Sequence, residues 1–307
     1  MESGGVQERK NILYRMYHEQ YKKVIFIPLL ILLFAAIVIA AHVLKTGDFI
    51  NKGVTLKGGI TLAAVTSEHV TVDQITNLIK KDHPDTDLTV RLISESGTQT
   101  GFLVEVADIT EEQLIQSLSS ITAVKEGQYS IEVMGSSLGG SFFKQTIIAL
   151  IIAFIFMSLV VFIYFRLPIP SIAIISAALM DIIVTIAILD LFGFVFSIAG
   201  IAALLMLIGY SIDTDIVLSV RVLKRKVGTL DEKVISAFKT GVTMTCTALS
   251  ATLIAFFMSG SPVIKEIMLI LTIGLVVDII ATWLFNAPVL KWYVHNRQKA
   301  VEQDHHG

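Results

Sequence analysis

The chain has 307 residues, of which 54% are hydrophobic and only 16% charged, with a mean hydropathy of +0.73. A soluble globule of this length could not enclose so much apolar sequence, so the composition points to a membrane protein. The net charge of −2 gives no footing for a nucleic-acid partner, and the single cysteine, Cys246, rules out a disulfide within the chain.

Residues 1–23 are polar, carry Arg9, Lys10, Arg15, Lys22 and Lys23, and read as a cytoplasmic segment that can lie on membrane lipid. Residues 24–44 form a charge-free run about one bilayer long, with Pro28 in what would be its first helical turn. No small-residue cleavage site follows, so this run reads as a retained anchor.

Residues 45–142 change character and hold no long apolar run. Ile60–Val65 reads as a strand and Val72–Lys81 as an amphipathic helix. Leu88–Ile93 and Phe102–Val106 read as strands joined by a loop holding Gly97 and Gly101. A second helix, capped by Asp108 or Thr110, is expected to reach about Ser120, and a strand over Tyr129–Val133 closes the unit. The order βαββαβ predicts an α+β ferredoxin-like domain. His69 and His83 stand alone, without metal-ligand spacing, and read as surface residues; no metal and no cofactor is expected.

Five further apolar segments cover 143–165, 169–191, 194–220, 236–259 and 263–290, and residues 291–307 form a basic tail. Arg166, the Arg221–Lys233 loop and the tail all fall on the side of the basic N-terminal segment. The nearly uncharged turn at 190–194 falls opposite. The positive-inside rule therefore predicts a polytopic α-helical protein with six transmembrane helices, both termini cytoplasmic and residues 45–142 extracytoplasmic.

Charged residues within such spans are costly and by default functional. The third span carries Asp181, the fourth Asp213, Asp215 and, at its end, Arg221, and the sixth Asp278. At about 100° per residue, Asp213 and Asp215 point to roughly opposite sides of their helix, whereas Asp213 and Arg221 can share one broad face. Arg221 can alternatively snorkel to the interface as the first residue of the basic loop. Asp278 alone could be a neutral packing residue. Asp181, Asp213 and Arg221 are the main candidates for an ion or proton path, with Asp215 and Asp278 secondary. In the fifth span, Thr243, Thr247 and Ser250 share a side and read as a close-packing face, as do Ala173 and Ala177 in the third.

These features together resemble the SecF branch of the SecD/SecF family of the RND superfamily, in its archaeal form. The likeness rests on Thr55-Leu56-Lys57-Gly58-Gly59-Ile60 after the first span, Met180-Asp181-Ile182-Ile183-Val184-Thr185 in the third, and Gly209-Tyr210-Ser211-Ile212-Asp213-Thr214-Asp215 leading to Arg221 in the fourth. The family's Asn-Asp pair is replaced by Asp213 and Asp215 around Thr214. Its third-span His is Met180, so a His-assisted relay is not available there. Asp213 is similar to the acid that SecD carries at the matching place. The resemblance implies one RND/SecDF-like half, a SecD partner, a SecYEG-type channel and a translocating preprotein, with the proton-motive force as drive and Asp181 and Arg221 as functional residues. It implies no enzyme activity. A non-coupling structural subunit is the alternative. An intramembrane aspartyl protease has the two aspartates but lacks the Gly-x-Gly-Asp context, and a stand-alone small-molecule exporter would need a second repeat.

Overall fold

The computed structural model describes residues 21–304, except 67, 96–97, 122–123, 125–126 and 226. The basic residues Arg9, Lys10 and Arg15, and Gly97, lie outside the described residues. Six helices are long and apolar enough to cross a membrane among those described. The first, α1, is Phe26–Thr46. An outer domain follows, built from β1 (Asn51–Lys52), α2 (Val54–Lys57), β2 (Gly59–Val65), α3 (Val72–Asp82), β3 (Leu88–Glu95), β4 (Thr98–Val106), α4 (Glu111–Leu118) and β5 (Tyr129–Met134). Five spans complete the chain: α5 (Ser136–Phe165), α6 (Pro168–Leu191), α7 (Ile198–Leu223), α8 (Leu230–Met258) and α9 (Pro262–Ile280). A two-residue strand, β6 (Val195–Phe196), precedes α7. A π-helical stretch, Ala281–Asn286, joins α9 to α10 (Ala287–Asp304).

The four-stranded sheet runs β3-β4-β2-β5 with all neighbours antiparallel, the ferredoxin-like arrangement expected from the element order. Period-2 alternation puts Ile60, Leu62 and Ala64 of β2 on one face, beside Phe102, Val104 and Val106 of β4. Ile75 and Ile79 of α3 and Leu114 and Leu118 of α4 cover that face. Both helices begin with capping boxes, Thr71 with Gln74 and Thr110 with Gln113. Thr110 is thus the cap, while Asp108 takes a left-handed turn at φ 63°.

The strand β4 starts earlier than the sequence suggests and includes Gly101. A Cβ there would sit 2.3 Å from the Ala64 carbonyl oxygen, so glycine is needed for close strand approach and not for a loop. The motif glycines work in the same way. Gly59 has φ +144°, and a Cβ on it would meet the Val106 carbonyl oxygen at 2.4 Å; a Cβ on Gly139 of α5 would meet the Gly58 nitrogen at 2.6 Å. Gly59 thus lets β2 lie close to the end of β4, and Gly139 lets the root of α5 lie against Gly58.

Within the bundle α6 is the most enclosed helix, followed by α7 and α9, while α1, α5 and α8 are mostly exposed. Ala177 of α6 packs in one cluster with Ala35 of α1, as expected of small residues, and Ala173 is also buried. The fifth-span expectation is corrected. Thr243, Thr247 and Ser250 are exposed and donate to carbonyls one turn back, whereas Thr245 and Thr252 face inward. The fourth span starts later than residue 194 because Val195–Phe196 pairs in parallel with Asn51–Lys52 and Ser197 caps the helix. Pro168 and Pro170 are part of the first turn of α6, where a missing N–H costs little.

Besides the β1–β6 pairing, a side-chain ion pair joins the outer domain to the spans. Arg91 of β3 donates to Glu266 of α9 at 3.2 Å and to the Val195 carbonyl at 3.3 Å, and lies 3.8 Å from Glu105 of β4. Burial pushes the Glu105 carboxyl above its ordinary 4.5, Arg91 pulls it back, and Glu266 pushes it up again.

Two outcomes follow. Gly59→Ala should destabilise the chain by more than about 1 kcal/mol, since it forces both a disfavoured φ and a backbone clash; an unshifted thermal unfolding curve would refute this. The folded-state pKa of Glu105 is raised, so its stabilising share is complete below about 4.5 and is lost as pH rises through the folded value. Glu105→Gln should therefore flatten the decline of melting temperature between acidic and neutral pH, and an identical slope in both proteins would count against it.

Candidate functional site

Three aspartates converge where α6, α7 and α9 meet. Asp181, Asp215 and Asp278 are each 0% exposed. The donors that serve them come from α7 and from the π-helical stretch that follows α9. Ser211 of α7 donates to Asp181 Oδ2 in a short hydrogen bond. Thr282, one turn after Asp278, donates to Asp215 Oδ1 at 3.0 Å and to Asp278 Oδ1 at 3.2 Å. Asn286, a further turn on, donates to Asp215 Oδ1 at 2.7 Å.

Thr282 and Asn286 belong to the π-helical stretch Ala281–Asn286. Such stretches are rare and concentrate at functional sites, because the extra residue per turn re-aims side chains. Here the widened turn lies where two donors reach one carboxylate on α7.

The cluster is incompletely satisfied. Asp181 Oδ1, Asp215 Oδ2 and Asp278 Oδ2 are buried without a hydrogen-bond partner among the described residues, as are the Thr185 and Ser219 hydroxyls. No salt bridge reaches any of the three carboxyls among the described residues. Nor do those residues contain a group of His, Cys, Asp and Glu arranged to hold a metal ion. What the geometry offers is a set of proton acceptors enclosed by apolar helices, with no Lys, Arg or His ion pair to them among the described residues.

The other sequence candidates lie elsewhere. Asp213 is on the outward side of α7, as are Gly209 and Tyr210. It lines a cavity of about 160 Å³ with Tyr210, Thr214, Met244, Thr245, Ala248 and Leu275. Arg221 does not pair with Asp213. It turns to α8 and donates to the Ser236 carbonyl at 2.5 Å and to its hydroxyl at 2.6 Å. Gly58 and Gly59 belong to the outer domain's base. Of the glycine, tyrosine and serine positions of the motifs, Ser211 is the one that hydrogen-bonds a cluster carboxyl.

The sequence reading missed Thr282 and Asn286. Their spacing from Asp278, four and eight residues, is the signal that a single polar stripe runs along the sixth span.

Comparison with known proteins decides the lineage. The C-terminal family of SecD/SecF protein export membrane proteins matches residues 113–296. The chain is 38% identical over 276 residues to the protein-export membrane protein SecF of Methanolacinia petrolearia, covering 89% of this chain and 94% of that protein. This chain belongs to the SecD/SecF family. The SecF of Pyrococcus furiosus is likewise 38% identical, over 299 residues, covering 95% of this chain and 97% of that one. A crystal structure of SecDF, a translocon-associated membrane protein from Thermus thermophilus, superposes with a TM-score of 0.69 at 22% identity, over 90% of this chain but 38% of that chain. SecDF in a super-membrane-facing form gives 0.59 at 24% identity, over 92% of this chain and 39% of that one. The likeness to these structures is one of fold, and the chain spans well under half the length of either.

Asn286→Leu should cost about 1–3 kcal/mol by leaving a buried carboxylate short of its donor. The check is thermal melting of the purified membrane protein. A melt like that of the unmodified chain would mean the donor is not holding Asp215.

Proposed function

We propose that this chain is the SecF-type half of a SecDF-like accessory machine that assists preprotein movement through a SecYEG-type channel, and that protons exchanging at Asp181, Asp215 and Asp278 drive it. The carrying observation is the enclosure of three carboxyls, with no ion-pair partner among the described residues, at the junction of α6, α7 and α9. Three bare anions at that depth would be very costly, so the cluster holds protons or meets a cation. Each proton that crosses a potential of 100 mV delivers about 2.3 kcal/mol, enough to bias a two-state equilibrium roughly fiftyfold.

The partner is a second six-span chain of the SecD type, and it covers the outward side of α7. Gly209, Tyr210 and Asp213 are family-motif positions, yet they are exposed on this chain, Tyr210 and Asp213 at the edge of a cavity shared with α8 and α9. An aspartate in that position needs a donor or a cation from outside the chain. Arg221 holds the cytoplasmic end of α7 to α8 and thereby positions the helix that carries Asp215. The outer domain, extracytoplasmic by the distribution of positive charge, meets the emerging preprotein.

Asp181→Asn, Asp215→Asn and Asp278→Asn, tested singly, should each reduce export of a secreted reporter by up to roughly fiftyfold while the SecD-type partner stays bound. Unchanged export in all three would leave a structural subunit that moves no protons. Asp213→Asn should instead weaken partner retention.

A further inference from the structure

Glu266 is a single carboxylate at which three parts of the molecule meet. It stands in the second turn of α9, and its side chain is only 2% exposed. Both oxygens are committed, and to different elements. Oε2 accepts from Arg91 of the outer domain at 3.2 Å, and Oε1 accepts from the Ser197 backbone N–H at 2.8 Å. Ser197 is the N-cap of α7, its hydroxyl accepting from the Ala199 and Gly200 N–H groups at 3.0 and 3.4 Å.

The approach to α7 is close by design of the sequence. A Cβ on Gly200 would come within 2.5 Å of Glu266 Oε1, so the carboxylate reaches the helix start only because position 200 is glycine. Arg91 is equally committed. Besides Glu266 it donates to the Val195 carbonyl, two residues before the cap, and it faces Glu105 at 3.8 Å. The contact differs from an exposed ion pair, which holds little together. Removing Arg91 here strands the buried Glu266 carboxylate.

α7 and α9 are the two helices that present Asp215 and Asp278. Asp278 lies twelve residues beyond Glu266, about 18 Å along the axis, and Asp215 lies about 27 Å from Ser197. Continuous helices of this kind move as rigid bodies, so a change in how they pack around the carboxyls appears at their outer ends. At those ends Glu266 touches the start of α7, from its own place near the start of α9, and the outer domain.

We propose that Glu266 is the positioning residue that transmits rearrangement of α7 and α9 to the outer domain, with Arg91 as its receiver. The inference rests on the carboxyl cluster being the driven site. It gives the outer domain a defined mechanical input instead of a flexible tether.

The test uses the full chain in complex with its partner subunit in lipid nanodiscs. Cys246→Ser removes the native thiol, and spin labels at Glu112→Cys in the outer domain and Phe192→Cys at the outer end of α6 report their separation. Asp215→Asn should shift the distance distribution. Glu266→Gln and, independently, Arg91→Gln should abolish that shift, and Arg91→Lys should restore it in part. A shift that survives in both Gln variants overturns the role of Glu266 while leaving proton-driven export intact. No shift on Asp215→Asn, with reporter export nonetheless lost, also overturns it. Export that persists in Asp215→Asn, Asp181→Asn and Asp278→Asn instead removes the driven site on which the inference rests.

Discussion

A carboxyl group buried in a helix bundle has to be met by donors from neighbouring helices, and the interior of this protein is arranged around three such groups. Asp181, Asp215 and Asp278 are each on a different helix, and the hydroxyls and amide that serve them come from α7 and the π-helical stretch. These bonds tie α6 to α7, and α7 to the stretch that follows α9, more specifically than apolar contact alone. Apolar side chains in lipid gain little by leaving it, and specificity in a membrane comes from small residues and polar contacts. The mostly exposed α1, α5 and α8 contribute no carboxyl to the cluster.

The same economy governs the outer domain. Its core is an ordinary two-layer one, a sheet covered on one face by two capped helices. Its attachment is more specific. Gly139 lets α5 approach the backbone at Gly58, β1 pairs with β6, and Arg91 reaches the bundle. A domain held at defined points can move as a unit with what it is fixed to. Glu105 adds a second acid beside one arginine, and so the junction carries more negative than positive charge when both acids are ionised.

Much of the architecture was legible in the chain. Hydropathy and length located six spans, because a bilayer accepts only long apolar helices, and charge bias oriented them. Period-2 and period-3.6 patterns located the strands and helices of the outer domain, because its residues are half-buried and must alternate. The boundaries slipped where tertiary partners intervene. Gly101 looked like loop but lies in β4 because Ala64 needs the space, and residues 195–196 looked like the start of a span but pair as a strand.

The sequence by itself determined that acids lie inside the membrane, on the third, fourth and sixth spans, since composition and spacing suffice to place a residue along a helix axis. It also showed that Asp213 and Asp215 look in opposite directions. Which of the two looks inward was decided only by the tertiary structure, because rotation of a helix about its axis depends on what surrounds it. Asp215 joins Asp181 and Asp278, while Asp213 faces outward. The π-helical turn that aims Thr282 and Asn286, and the meeting of Arg91 with Glu266 across 175 residues, likewise arise from packing. No local pattern encodes them, because each exists only when distant segments are brought together.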